Sequence, residues 1–590
     1  MTVHRLALLL LLISCVAAAL TPAFAYDTTE RVSVSSGEAE GNGVSRDPSV
    51  SANGRYVAFQ SGASNLVADD TNEVPDIFVR DRLTGETERV SINSAGEEGD
   101  DESRYPAISA DGRYVAFQSF ATNLVPDDTN DQGDIFVFDR ETDDTERVSV
   151  SSSEVQGNEC SPCLCSISSD GRYVAFQSVA TNLVEGDTNQ SQDVFVRDRE
   201  AGTTERVSVS SAGAEGNQYS QAPSISADGR YVAFWSVATN LVEGDTNESR
   251  DVFVRDREAG TTERVSLGSA EEQGNAGSWL PSIDADGRCV AFVSWAENLV
   301  ADDTNQARDV FLRDRLAGVT ERVSLTAAGA EGNGDSYCPS ISADARYVSF
   351  ESLATNLVPG DSNTVHDVFV RDRQTGGNTY RVSVSSADEE GNDLSWSWSA
   401  AISAAGSCVA FFSDATNLVA DDANQSTDVF VRGPIPGGTA SKVLLEVHPN
   451  ERAPGVTTSQ YLGKSPWTQP TNTPAANYWW KTYEFAAHGP LWIQVCGQNW
   501  NSAQKGYAAS DRTKLQLNGL VPTDYDLIQT GTPGSWQWLG STESGKRVTL
   551  RFLAPTTPGK QALWIGADES PAIWWLKVID LEPGLIEPIE

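Results

Sequence analysis

The sequence predicts an all-β protein: a seven-bladed β-propeller followed by a β-sandwich of jelly-roll type. Three observations predict it. A unit of about 58 residues recurs seven times, and the turn residue of its marker phrase SADGRYVAF falls at Gly54, Gly112, Gly171, Gly229, Gly287, Ala345 and Gly406. Each unit alternates short β-branched and aromatic runs with turn residues, which leaves room for four strands. From residue 440 onward the repeat is gone, and short alternating runs rich in tryptophan replace it. So regular a period means one supersecondary unit copied, each copy burying its faces against the next. Four strands copied seven times make a propeller, whereas a solenoid needs shorter coils and atypical end repeats.

Residues 1–25 are expected to be a secretion signal. Arg5 is its basic segment, residues 6–13 its apolar core, and Ala23-Phe24-Ala25 a small-x-small cleavage site. A second reading stays open: Leu12-Ile13-Ser14-Cys15 resembles a lipobox, and cleavage there would leave Cys15 as a lipidated N-terminus. No other apolar run approaches the ~20 residues of a membrane helix. The expected address is secreted, extracellular or periplasmic, free or tethered through Cys15, with no transmembrane span.

The propeller is expected over residues 26–433. In each unit a run such as Tyr114-Val115-Ala116-Phe117 is apolar on both faces, as in a strand held between two sheets. A loop with the phrase TNLV leads to a second strand such as Asp134 to Val137, and a short turn leads to a third, Arg-Val-Ser-Val. A long loop with Glu-Gly-Asn then enters Pro-Ser-Ile-Ser, the strand before the next Asp-Gly. The Arg-Val-Ser-Val strand also stands at Arg31, before the first full unit, while the last unit ends at Arg432 without one. The N-terminal strand, about 28–35, is therefore expected to supply the outer strand of the last blade and close the ring.

At SADGRYVAF and DVFVRDR the chain resembles the TolB-type propeller family, over about two thirds of its length. The resemblance implies the fold. It implies little about function, because such propellers serve as scaffolds, lyase and peptidase domains and periplasmic partners, and no catalytic motif of those enzymes is matched.

The net charge of −41 makes nucleic acid an unsuitable partner. All eight lysines lie at or after Lys442, so the propeller carries its positive charge on arginine alone. Genomic bias, a saline habitat or a bound cation would each account for this. Seven cysteines remain after the signal, an odd number. Cys289 and Cys408 take the tyrosine slot of the marker phrase and read as core. Cys160, Cys163 and Cys165 crowd one loop, where a local disulfide suits an oxidising compartment better than a zinc site lacking its fourth ligand.

The repeats keep one polar set, Asp-x-Asn-x-x-x-Asp. Its copies are Asp70, Asn72, Asp76; Asp128, Asn130, Asp134; Asp187, Asn189, Asp193; Asp245, Asn247, Asp251; Asp303, Asn305, Asp309; Asp361, Asn363, Asp367; and Asp422, Asn424, Asp428. Oxygen ligands at alternate positions suit calcium, but the set lacks the glycine and distal glutamate of a hand-like loop. Side-chain-to-backbone turns that fix a strand entrance are the competing reading. The repeats vary just before Pro-Ser-Ile-Ser, where Arg104, Tyr105, Trp279, Tyr337, Trp396 and Trp398 stand. These residues are expected to ring one mouth of the channel and to suit sugars or peptides, unless they merely plug it.

Residues 434–439 read as a linker and 440–590 as a β-sandwich. The run from Gly559 through Trp575, with Trp536-Gln537-Trp538, resembles the strands of carbohydrate-binding jelly-roll modules. That resemblance implies sugar contact, for which Trp500, Trp536 and Trp538, near turns, are the candidates. No nucleophile–base or metal-protease pattern surrounds His366, His448 or His488. The function expected is a secreted or surface-tethered, non-catalytic binding or adhesion protein for a polysaccharide or glycan. The alternatives are a polysaccharide lyase or hydrolase acting at the propeller mouth, and an envelope propeller that binds a protein partner.

Overall fold

The computed structural model describes residues 28–434 except 162–163, 375–376 and 397–401, and, beyond residue 441, the backbone of eight strands. The chain divides into two units, Met1–Gly438 and Thr439–Glu590. Residues 1–25, with Cys15, lie outside the described residues, as do Cys163, Trp398 and Trp500.

The first unit is a seven-bladed β-propeller of seven four-stranded sheets. In blade 2 the order from channel to rim is Ser103–Ile108, Tyr114–Ser119, Asp134–Asp139 and Asp144–Arg147. The same slots recur from Ser45–Val50 in blade 1 to Ser395–Trp396 in blade 7. Thr28–Arg31 pairs antiparallel with Asp428–Gly433 as the outer strand of blade 7, with Thr28 opposite Gly433. No blade edge of the ring is left for another chain to pair with at that seam.

The two middle strands of each blade are buried on both faces, because neighbouring blades sandwich them. Phe117 and Phe136 stack across them with ring centroids 6.1 Å apart, as Phe59 and Phe78 do at 6.0 Å in blade 1. Each apolar cluster joins two blades. One unites Val32, Phe59 and Phe78 with Cys408, Ala410 and Val431, so the core runs through the closure as well. At one end of the channel the Ser-Ala-Asp-Gly turns are laced by backbone hydrogen bonds. Ala52 N donates to Ala110 O (3.0 Å), Ala110 N to Ser169 O (3.1 Å), and so on round to Ala405 N and Ala52 O (3.3 Å).

Two strand boundaries differ from the sequence expectation. The outer strand ends at the arginine, as in Glu86–Arg89, and does not continue through Val-Ser-Val. The next serine turns inward instead. Ser91 Oγ donates to Asp76 Oδ1 (2.5 Å) and accepts from Ile77 N (3.1 Å), which ends the ladder. The innermost strand begins earlier than Pro-Ser-Ile-Ser. Trp279 already pairs with Val293, and a bulge separates it from Ser282. The residue before the proline takes a positive φ in blade after blade: Asp47 (53°), Tyr105 (52°), Ala222 (50°), Leu280 (50°) and Cys338 (47°). Proline cannot donate to the ladder, so the strand bulges around it.

The Asp-Gly turn shows why one blade carries alanine. A Cβ on Gly112, at φ 78°, would stand 2.1 Å from the ring of Tyr56 in the preceding blade. Blade 6 has Ala345 (φ 56°) at this turn, and the preceding blade has Cys289 where the tyrosine would be. Both pack in one core cluster. Cys289→Tyr is expected to destabilise by ~1–3 kcal/mol through overpacking. Ala345→Gly should recover most of that loss in the double variant, and thermal melts of the four proteins check it.

The second unit consists, as described, of two antiparallel sheets. One orders Lys442–Val447, Ala572–Asp580, Leu491–Gln498, Arg547–Ala554 and Trp536–Ser541; the other orders Trp479–Ala487, Gly559–Ala567 and Thr513–Leu517. Trp536 and Trp538 both lie on Trp536–Ser541.

Candidate functional site

The seven acidic sets are held by arginine. In blade 5 Arg322 Nη1 lies 3.0 Å from Asp309 Oδ2, 3.3 Å from Asp303 Oδ1 and 2.8 Å from Glu331 Oε2. Asn305 Nδ2 donates to Gly332 O (2.9 Å), and Asn305 Oδ1 accepts from Ala307 N (2.8 Å), so the asparagine ties two loops together. The three tightest acid clusters are Glu40 with Asp422 and Asp428, Asp70 with Asp76 and Glu98, and Asp361 with Asp367 and Glu390. Each has a guanidinium between its carboxylates, from Arg31, Arg89 and Arg381. In two blades Gln156 and Gln273 replace the glutamate and donate to the aspartates instead. Burial raises Asp76, Asp193, Asp303, Asp361 and Asp422 to about 6.

Other arginines span the blade seams in the same way. Arg140 Nε donates to Glu88 Oε1 of the preceding blade (2.6 Å), and its guanidinium covers Tyr56 at 4.4 Å. Arg80 is buried and donates to Ser35 O, Gly85 O and Thr87 Oγ1. A planar fork with several donors makes these contacts, and the ammonium of lysine does not. The all-arginine propeller therefore has a structural cause that composition alone does not suggest.

The variable residues gather at the other end of the channel, and in blades 4 to 6 they form a sector of arginine and aromatic rings. Arg308 lies at its centre, 4.4 Å from the Trp295 ring, 4.7 Å from Tyr337 and 6.0 Å from Trp279. Arg250 lies 5.0 Å over Trp235, against which Tyr219 packs edge-on at 5.6 Å. Among the described residues the Arg250 side chain has neither a hydrogen bond nor an ion pair. Arg250, Trp279, Trp295 and Arg308 line an open cavity of about 610 Å³ together with Glu248. Trp295 is 42% exposed, high for an indole on a folded surface.

Blade 6 adds titratable groups. Tyr337 Oη donates to Asp335 Oδ2 (2.8 Å), and its ring lies 5.6 Å from that of His366. Burial, then the bond to Asp335, pushes the Tyr337 phenol up to about 12. Burial holds the His366 imidazole below its ordinary value, against the opposing pull of Asp335. His366 Nδ1 and Arg308 Nε are both buried without a hydrogen-bond partner. Arg308 Nε faces Asp335 Oδ2 at 3.9 Å, and the Nε atoms of the seven brace arginines likewise lack a hydrogen-bond partner.

No protein-family model matches the chain, and no curated protein matches it. Solved structures do. TolB from Agrobacterium tumefaciens aligns at 18% identity over 51% of this chain and 87% of its own, with a TM-score of 0.30. TolB from Acinetobacter baumannii aligns at 15% over 57% and 63%, with a TM-score of 0.32. An acylaminoacyl peptidase from Pyrococcus horikoshii aligns at 13% over 69% and 55%, with a TM-score of 0.40. This chain thus spans less than two thirds of the latter two. All three scores are below 0.5, so the fold rests on the strand pairing above and not on likeness.

Of the residues singled out from sequence, Trp279 and Tyr337 join the sector. Trp396 stacks on Phe412 in blade 7 (5.4 Å). Arg104 is ion-paired with Glu102 in blade 2, and Tyr105 occupies the bulge there. Sequence reading misses Trp235, Arg250, Trp295, Arg308 and Asp335. The signal was available in other slots of the repeat. The residue before the strand-opening aspartate runs Pro75, Gly133, Gln192, Arg250, Arg308, His366, Thr427, as variable as the slot of Trp279.

Proposed function

We propose that the propeller binds a carboxylated glycan at this mouth, as a secreted or surface-tethered protein. One observation carries the reading: Arg250 and Arg308, stacked on tryptophan, line an open cavity beside the exposed Trp295. Indole faces suit pyranose rings, and a guanidinium suits a carboxylate. The rest of the molecule is strongly acidic, so an anionic ligand finds its countercharge at this local focus. Residues 439–590 would act as a second, carbohydrate-binding β-sandwich, with Trp500, Trp536 and Trp538 as its sugar contacts. The acidic sets serve in this reading as arginine-filled braces of the loops, with no need for calcium.

The test is binding of the mature protein to a panel of neutral and uronate-containing polysaccharides, with calcium and with chelator. Trp295→Ala is expected to weaken uronate binding about tenfold, ~1.4 kcal/mol, and to leave the melting temperature unchanged. Chelator should change neither. Preference for neutral glycans, or binding indifferent to Trp295, would contradict the proposal.

A further inference from the structure

We propose that Asp284 and Asp286 share one proton and form a pH-sensitive latch in the turn that ties blade 5 to blade 6 at the laced end of the channel. The marker phrase opens on serine in six blades and on Asp284 in blade 5. In blades 2, 3, 4 and 6 the serine hydroxyl donates to the aspartate two residues on. Ser109 Oγ reaches Asp111 at 2.6 Å, and Ser168, Ser226 and Ser342 reach Asp170, Asp228 and Asp344 at 2.7 Å. The hydroxyl also accepts from the N–H that starts the next strand, as Ser226 Oγ does from Tyr231 N (2.9 Å). Asp284 keeps the second contact, its Oδ1 accepting from Cys289 N (3.0 Å). The first contact persists too, because the Asp284 and Asp286 side chains are hydrogen-bonded to each other. An ionised carboxylate has no hydrogen to give. Two carboxylates make that bond only with a proton between them, since like charges so close do not both ionise.

The surroundings favour the shared proton. Asp284 is 3% exposed, and among the described residues neither carboxylate has an ion pair. The charged groups packed round the turn have other partners. Arg288 pairs with Asp314 (2.6 Å), Arg315 donates to Gly287 O and pairs with Glu263, and Arg373 of blade 6 donates to Ala345 O and pairs with Glu321. Asp344 and Asp228, in the turns on either side, are held by their own serines. The Tyr231 ring of blade 4 packs against Gly287, and burial pushes the Cys289 thiol up to about 12. Burial, opposed by the Cys289 N–H and reinforced by Asp286, pushes the Asp284 carboxyl up to about 7. The turn is also loosely closed. Gly287 N lies 3.3 Å from Asp284 O, where the same bond is 2.7–2.9 Å in the other six blades, and Ala285 N reaches Ala343 O of blade 6 at 3.3 Å. Opening the turn gives Asp284 to water, where an aspartate titrates at about 3.9. The closed turn therefore holds a proton that the open turn releases. Its stabilisation is fully present below the open-state value and is lost as pH rises through about 7.

The experiment follows amide hydrogen exchange of the full mature protein from about pH 5 to about pH 8.5, corrected for the intrinsic pH dependence of exchange. It compares residues 284–289 with the matching turn of blade 4, residues 226–231. Protection of 284–289 is expected to fall about tenfold per pH unit up to about pH 7 and then to level off, while 226–231 holds steady. Asp284→Asn keeps the shape of the side chain, accepts from Cys289 N and donates to Asp286 with no proton to lose. It should keep, at every pH, the protection that the parent shows at the acid end. Asp284→Ser restores the phrase of the other blades and should do the same. A parent profile as flat as that of blade 4 would overturn the latch, and so would a slope that persists in Asp284→Asn. An equal fall in both turns would assign the effect to opening of the whole ring and would overturn it as well.

Discussion

Removing residues 28–33 is expected to abolish cooperative melting of the propeller and to leave an aggregating protein. These residues lie at the start of the chain, but they complete its last blade. Their loss strips the ladder from Asp428–Gly433 and exposes a long unpaired edge. It also removes Val32 from the closing core cluster and Arg31 from between Glu40, Asp422 and Asp428. Stranding buried carboxylates alone costs ~3–5 kcal/mol, a large share of an ordinary domain's stability. Far-ultraviolet dichroism and size-exclusion chromatography would show it. A truncated protein that melts as sharply as the parent would mean that blade 7 closes in some other way.

Arg322→Met should be the most damaging single substitution of a charged residue in the propeller. The guanidinium is nearly fully buried and is ion-paired with Asp303, Asp309 and Glu331 at once. Methionine preserves bulk and removes the charge, with an expected loss of ~3–5 kcal/mol at pH 7. The loss should shrink at pH 5. Asp303 has a folded pKa of about 6, raised mainly by burial, above its unfolded value near 3.9. The folded state therefore binds the extra proton. That stabilisation is fully present below the unfolded value and is lost as pH rises through about 6. Asp76, Asp193, Asp361 and Asp422 behave alike. Asp256 is opposite. Hydrogen bonding from Arg230 lowers it to about 2, so its contribution is present above the unfolded value and disappears only as pH falls through about 2. The parent protein should therefore melt at a higher temperature at pH 5 than at pH 7.5. A flat or falling melting temperature over that window would contradict the electrostatic account of the braces.

The propeller was legible because its signals are local and repeated seven times. Asp-Gly followed by Tyr-Val-Ala-Phe specifies a turn and a doubly buried strand, and Arg31 without a partner unit reveals the missing strand of blade 7. The mouth was legible only in part. Trp279 and Tyr337 stand out because they interrupt a repeated phrase. Arg250 and Arg308 look like ordinary surface charges, and only the fold sets them beside indoles from other strands. The bulge before each proline was hidden as well, because the residue that takes a positive φ is Asp, Tyr, Ala, Leu or Cys and not glycine. The arginine at the centre of each acidic set was equally hard to see. It lies on another strand, thirteen residues past the second aspartate in blade 1, as Arg89 does from Asp76, and at the other end of the propeller sequence in blade 7, where Arg31 serves Asp428.

The pairing of Thr28 with Gly433 has a mechanical side. The propeller's two chain ends leave the ladder at the same end, from directly opposed residues. A pull applied between them would not load the strand pair in shear, with all its hydrogen bonds resisting together. It would peel Thr28–Arg31 away one pair at a time, beginning at Thr28. The seam that makes the ring stable in solution is thus the first to yield when the ends are drawn apart. Tension applied between the two ends of the propeller would be relieved by opening blade 7, before the other six blades were strained.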